Sequence, residues 1–359
     1  MRPISRGLLC VAAALATVAL WPPAAQARGY HLIVWPAAVP ARGGSVHMLA
    51  RVPRGASACL FSSTMLGLVQ EFLANRDCQH GTARATAKLP PNYDTAPRSF
   101  VFELRVDLGG GAFVERQASV LQRGRKAART DPQPTWSGYV ATHATFGIVG
   151  GDFNVAAISC PPGATTVSSQ WVGIDGFGGS TVEQDGVEMS CVNGSPSYSA
   201  WYEMYGDPAV NGGYEVALPS SAYPVSPGDS MSAGVSSPTP NDPLDPHRYT
   251  WFLSLFDYTA GWVFSTTIAA PNPAPPQDTA EWIVELPSTK ASSLLSDFGT
   301  ASFTSAYADS LGDSSGGAIS MFPHRSLKMA PGGHALAAPS ALTSSASDSS
   351  FSVTWLASS

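Results

Sequence analysis

Three short segments of this 359-residue sequence combine groups that can move protons with groups that exclude water: Trp171-Val172-Gly173-Ile174-Asp175, Trp201-Tyr202-Glu203-Met204-Tyr205 and Glu281-Trp282-Ile283-Val284-Glu285. If each is a strand, alternate residues share a face. Trp171 then lies beside Asp175, Trp201 beside Glu203 and Tyr205, and Glu281 beside Ile283 and Glu285. Val172, Ile174, Trp282 and Val284 point the other way and read as core. A face that meets only water usually carries Thr, Lys and Ser rather than Trp next to a carboxylate. The mixed faces therefore read as walls of a polymer-binding groove. Carboxyls partly buried there, with almost no Lys or Arg nearby in sequence, should titrate above their ordinary values, which is the condition for a general acid or base. Composition does not say which polymer.

Other candidate chemistry is weaker. Gly312-Asp313-Ser314-Ser315-Gly316-Gly317 has the flavour of a serine-nucleophile loop, but it has one serine too many and no matching histidine segment precedes it. Gly176-Phe177-Gly178-Gly179 is no dinucleotide loop, because no helix is expected after it. The chain has no Cys-x-x-Cys, and none of its seven histidines has another at a ligand-like spacing, so neither a metal site nor a cofactor is expected. His143 and His247 stand alone and read as ordinary core or solvent histidines.

The elements that must position these groups are strands. Gly and Pro are abundant (34 and 30 residues), charged residues make up only 13%, and no segment keeps a 3.6-residue apolar period for several turns. Short alternating runs broken by turn residues predict an all-β sandwich or barrel. In the first part, strands are expected at Tyr30 to Trp35, Ser45 to Val52, Ser99 to Leu108 and Phe113 to Leu121, with a hairpin turn at Gly109-Gly110-Gly111. Helical character is confined to Leu66 to Ala74. An immunoglobulin-like sandwich fits that length. Near the end, Ile319 to Phe322 and Phe351 to Leu356 read as late strands, while Ser236 to Pro246 and Ala270 to Pro276 read as loops.

Charge divides the chain into two domains. Residues 28–130 hold 14 basic and 6 acidic residues, a net +8; residues 131–359 hold 4 basic and 20 acidic ones, a net −16. Residues 1–27 have the basic start, apolar run and Ala25-Gln26-Ala27 ending of a secretion signal, so a secreted, extracellular protein is expected. No later run is long enough to span a bilayer as a helix. The divisions are then 1–27 signal, 28–122 basic N-terminal β domain, 123–134 basic and Pro-containing linker, and 135–359 acidic domain. The linker is an attractive cleavage site. Outside the signal, Cys59 and Cys78, and Cys160 and Cys191, form two sequence-local pairs, as expected of disulfides in an exported chain. The basic residues are scattered among apolar strands without a nucleic-acid motif, so no nucleic-acid partner is expected; the nearer acidic partner is the C-terminal domain itself. No heptad or apolar patch argues for an oligomer, and a monomer is expected.

Four stretches in order, Trp136-Ser137-Gly138-Tyr139, Trp171-Val172-Gly173-Ile174-Asp175-Gly176, Ala200-Trp201-Tyr202-Glu203 and Ala280-Glu281-Trp282-Ile283-Val284-Glu285, resemble the glutamic peptidase (eqolisin) family of acid endopeptidases. The likeness covers roughly residues 135–357. It implies an antiparallel β-sandwich of two curved sheets, a concanavalin- or lectin-like jelly roll, acting on protein or peptide substrates without a cofactor. It also implies that Gln184, within Val182-Glu183-Gln184-Asp185-Gly186, and Glu285 are the catalytic pair, with Trp171, Asp175, Trp201 and Glu203 shaping substrate binding. Glu183 and Asp185 depart from the family's usual flanks, where an apolar residue precedes the glutamine. In the implied chemistry an ionised Glu285 takes a proton from the attacking water and returns it to the leaving amine, and Gln184 steadies the oxyanion. The +8 domain would then cover the groove as a propeptide or stay attached as an accessory domain. Two rival readings keep the fold: a glycoside hydrolase using Glu203 and Glu285, and a non-catalytic binding module.

Overall fold

The structure, a computed structural model, describes residues 29–65, 69–109, 112–125, 130–238, 250–270, 275–287, 294–311, 316–345 and 347–359. The secretion signal, the tip of the Gly109–Gly111 turn, Ser314 and Ser315, His247 and most of the Ser236–Pro246 loop fall outside these residues.

The first unit contains β1 (His31–Trp35), β2 (Gly44–Arg51), β3 (Ala56–Met65), β4 (Val69–Cys78), β5 (Thr82–Leu89), β6 (Arg98–Gly109) and β7 (Ala112–Gln122). β1, β2 and β5 form one antiparallel sheet, and β7, β6, β3 and β4 form another. Val46, Met48, Phe61, Phe102, Leu104 and Val120 pack between them as a single core. Alternation sets this arrangement: β5 reads Thr-Ala-Arg-Ala-Thr-Ala-Lys-Leu, and its Ala and Leu residues are the buried ones. The helix expected over Leu66 to Ala74 is not formed. Residues from Val69 onward are strand, because β4 pairs with the long β3 and the Cys59–Cys78 disulfide ties the two together. Tertiary pairing here outweighs a weak local propensity; residues 66–68 lie outside the described set.

The second unit is built from β8 (Trp136–Thr142), β9 (Phe146–Asn154), β10 (Thr166–Ile174), β11 (Val182–Val192), β12 (Ser195–Tyr205), β13 (Ser230–Ser236), β14 (Thr250–Asp257), β15 (Trp262–Ala269), β16 (Thr279–Glu285), β17 (Thr300–Ser310), β18 (His324–Met329) and β19 (Ser349–Trp355). One layer runs β18-β8-β16-β10-β11-β12 and the other β19-β17-β9-β13-β14-β15, every pair antiparallel. The short strand Ala337–Pro339 joins the layers by pairing with both β18 and β19. The result is an all-β antiparallel sandwich. Its main core includes Val172, Ile174, Met189, Met204, Trp282 and Val284 from the first layer and Val149, Phe153, Met231, Trp251 and Phe303 from the second. A smaller apolar cluster of Val140, Trp171, Val182, Trp201, Ile283 and Leu327 occupies the first layer's opposite face. The Cys160–Cys191 disulfide closes the segment between β9 and the end of β11.

Two expectations about strands need correcting. Ile319–Met321 is a 3-10 turn, not a strand, and the Phe322 N–H bonds back to the Ile319 carbonyl. Pro323 follows and has no amide to donate to a ladder, and Ile319 and Phe322 instead fill the core. The end of the proposed linker is already sheet: Asp131–Gln133 pairs in parallel with β18, and Asp131 accepts from Arg325 at 3.0 Å.

Gly186 lies opposite Trp171 in the β10–β11 ladder. A Cβ there would overlap the Gln170 carbonyl oxygen and sit 2.7 Å from the Trp171 Cβ. Gly186→Ala should therefore cost about 1–3 kcal/mol of stability, read as a lower urea midpoint; an unchanged midpoint would show that the two strands are not closely apposed.

Candidate active site

β10 is bonded along both edges, to β11 and to β16, and these two ladders set the site. Gly173 pairs with Gln184 on β11 and with Glu281 on β16, Trp171 pairs with Gly186 and Ile283, and Ser169 pairs with Glu285. Gln184 and Glu285 thus lie on opposite diagonals across Trp171. Both line a groove of about 730 Å3 whose walls also include Trp136, Ser169, Val182, Trp201, Glu203, Tyr205, Tyr214, Glu215 and Glu285's neighbour across the turn, Pro287.

Hydrogen bonds orient the polar groups. Trp171 is fully buried and its indole N–H donates to Glu285 at 2.9 Å; Trp136 makes a second side-chain bond to the same carboxyl. Gln184, 4% exposed, donates through Nε2 to Glu203 at 2.5 Å. That contact fixes which end of the amide is the donor. Burial lifts Glu285 to about 7, opposed by the two indole bonds and reinforced by the charge of Glu203. Burial raises Glu203 as well, against its bonds from Gln184 and the Glu215 backbone. Burial therefore favours the neutral carboxylic acid at Glu285 in acid, where the family resemblance implies a carboxylate.

Trp171, Trp201 and Glu203 are brought to the pair as expected; Asp175 is not. It follows the last residue of β10 with φ 67°, and its carboxylate accepts the backbone N–H groups of Gln277 (2.9 Å) and Asp278 (3.0 Å). It is buried away from the groove walls, and it anchors the turn that leads into β16. Ser169 and Tyr205 are reached by counting in twos from Trp171 and Trp201, whereas Trp136 begins a different strand, β8, and no such count points to it. Tyr214 and Glu215 lie beyond a turn, where no periodicity points to them.

Among the described residues, the walls of this groove all come from residues 135–287, and the basic N-terminal unit contributes none of them. Its contacts fall elsewhere: the Tyr93 N–H donates to the Ser320 carbonyl at 3.3 Å, and Arg98 donates to the Met321 sulfur. Asp94 and Thr95 share a cavity of about 250 Å3 with Tyr139 and His324 at that seam.

The model of the peptidase A4 family matches residues 134–354. The chain belongs to this family, the glutamic peptidases. Aspergillopepsin-2 of Aspergillus niger is 28% identical over 202 residues, spanning 50% of this chain and 66% of that protein, just under two thirds of its length. Among solved structures, scytalido-glutamic peptidase with a peptide-based transition-state analogue is 19% identical with a TM-score of 0.48, covering 62% of this chain and 99% of that one. Aspergilloglutamic peptidase from Aspergillus niger is 27% identical with a TM-score of 0.42, covering 53% and 99%.

The groove sits in an acidic setting. Glu183 and Glu281 are fully buried, and burial holds both well above the ordinary range, as it does Asp185; Asp175 is lifted to about 6. Each of these groups binds its proton more tightly folded than unfolded. Their stabilising contribution is whole below the unfolded values near 4 and is lost as pH rises through the folded ones. For Asp175 alone, a change from 3.8 to about 6 corresponds to roughly 3 kcal/mol. Urea midpoints should be highest near pH 4 and fall steadily to pH 8; a midpoint that rises over that range would contradict the burial of these carboxyls.

Proposed function

We propose that this chain is a secreted acid endopeptidase in which Glu285 and Gln184 act on a peptide carbonyl held between them. The observation that carries the reading is the Glu285 carboxyl held by two indoles in a groove it shares with a glutamine whose donor end is fixed. Water attacks the carbonyl carbon and gives its proton to the free oxygen of neutral Glu285. The Glu285 hydroxyl proton passes to the carbonyl oxygen, leaving a neutral diol and a carboxyl that is again protonated. In the second half, Glu285 protonates the amide nitrogen as the C–N bond breaks and takes a proton back from the diol. One N–H of Gln184 is engaged by Glu203, and the other is available to the carbonyl oxygen, where charge develops.

Trp136, Trp201, Tyr205 and Tyr214 give the groove apolar contact surface for a substrate chain, and the two disulfides suit an oxidising compartment. That no described residue of 28–122 lines the groove supports the reading in which this unit stays attached as an accessory domain.

Hydrolysis of casein or denatured globin from pH 2 to 8 tests this reading. Activity should be highest in acid and fall as pH rises through about 7, where Glu285 loses its proton. A rate that climbs through pH 7 would instead assign the work to the carboxylate form. Gln184→Ala and Glu285→Gln should each lower kcat by on the order of 10²-fold or more, and EDTA should have no effect. A glycoside hydrolase using Glu203 and Glu285 would tolerate Gln184→Ala, and a binding module would cleave nothing in either form.

A further inference from the structure

A second carboxyl on the Glu285 strand has no part in the chemistry above. Glu281 is on the same face of β16 as Glu285 and directly opposite Gly173. Its side chain is completely buried, one oxygen accepts the Phe177 N–H at 3.3 Å, and the carboxyl also faces the Thr279 hydroxyl two residues earlier on the strand. Phe177 belongs to the turn after β10. Its ring packs on the apolar cluster of the groove face beside Trp136. The preceding Gly176, at φ 110°, lies so close to Trp136 that a Cβ would come within 2.9 Å of the indole ring. Trp136 in turn stands edge-on to Trp171, with ring centroids 5.0 Å apart, and both indoles bond to Glu285. A continuous set of contacts therefore runs from Glu281 through the 176–177 turn and Trp136 to the Glu285 carboxyl.

We propose that Glu281 is a positioning residue for Glu285: it holds the Gly176–Phe177 turn against Trp136, and it does so only while it is uncharged. The inference rests on the peptidase reading for its activity readout but not for its structural one. The charge requirement comes from the neighbours. Asp175, at the end of β10, and Glu183, on β11, both face Glu281 electrostatically, and Asp278 and Asp207 adjoin those two in turn. From β18 the nearby cation is Arg325, which lies over the Phe177 ring and is already bonded to Asp131. A charged Glu281 would still accept the Phe177 N–H. It would also be a charge fully enclosed by protein, with the charges of Asp175 and Glu183 adding repulsion, so the turn must open to solvate it. Protonated, the same groups are small neutral dipoles and the turn stays closed. The Glu183 that departs from the family's apolar flank is part of this group.

Glu281→Gln keeps an acceptor for Phe177 and cannot ionise, whereas Glu281→Leu removes the acceptor. At pH 3–4, Glu281→Gln should keep activity within about threefold of the parent. Its activity and its Trp fluorescence should persist to higher pH, with the alkaline midpoint of thermal stability displaced upward. Glu281→Leu should lose activity at every pH through kcat, with the apparent titration of Glu285 in the pH–rate profile displaced. The proposal is overturned if Glu281→Gln is as inactive in acid as Glu285→Gln, which would make Glu281 a participant in the chemistry. It is equally overturned if the pH dependence of thermal stability is the same in Glu281→Gln and the parent. That stability measurement stands even if no peptide is cleaved, so a failure of the peptidase reading is told apart from a failure of this one.

Discussion

The double pairing of β10 constrains everything at the groove. A strand bonded along both edges cannot slip by one residue without turning Trp171 into the core and Val172 into the groove. The same register fixes Gln184 on one flank and Glu285 on the other, two side chains 101 residues apart in sequence. Gly186 leaves room across the ladder for the Gln170 carbonyl and the Trp171 Cβ, which any larger residue would overlap. The layer behind, packed through Val172, Ile174, Trp282 and Val284, keeps the sheet from relaxing. The placement of Gln184 and Glu285 is thus a property of three neighbouring strands.

Upon that frame the chain has placed carboxyls where cations would normally be needed. Glu183, Asp185 and Glu281 are enclosed, and the acidic part of the chain has only four basic residues to offer them. Ion pairing is therefore not what makes their burial tolerable; protonation is. The same condition that makes Glu285 a neutral acid keeps its surroundings neutral. On the proposed mechanism, activity and stability would respond to pH in the same direction, through different residues.

Much of this was readable beforehand, and the reasons are specific. The mixed faces of Trp171, Trp201 and Glu285 survived because strand alternation is a local rule that tertiary packing seldom breaks. Late strand Ser349–Trp355 was visible for the same reason, and the resemblance supplied Gln184, which alternation alone would have left as one polar residue among several. Asp175 was misplaced because it follows the last strand residue: with φ at 67° the backbone turns, and counting in twos no longer applies. The segment after Met65 read as helix because its residues tolerate helix, while the partner strand that decides its shape lies upstream. Ile319–Phe322 has the composition of a strand but the position of a corner. The raised titration of Glu285 was foreseen in direction, but its consequence for the proton inventory required knowing that the half-buried carboxyl is held by Trp136 and Trp171 beside Glu203.

The short parallel strand at Asp131–Gln133 bears on how the chain would be trimmed. A cut anywhere in the basic stretch before it would free a new amino terminus only a few residues from a segment already stitched to β18 and clamped by the Asp131–Arg325 pair. An exopeptidase working inward from such an end would meet sheet almost at once, with Pro132 and Pro134 adding resistance. The mature boundary would be decided by where the fold begins, not by the specificity of the enzyme that makes the cut.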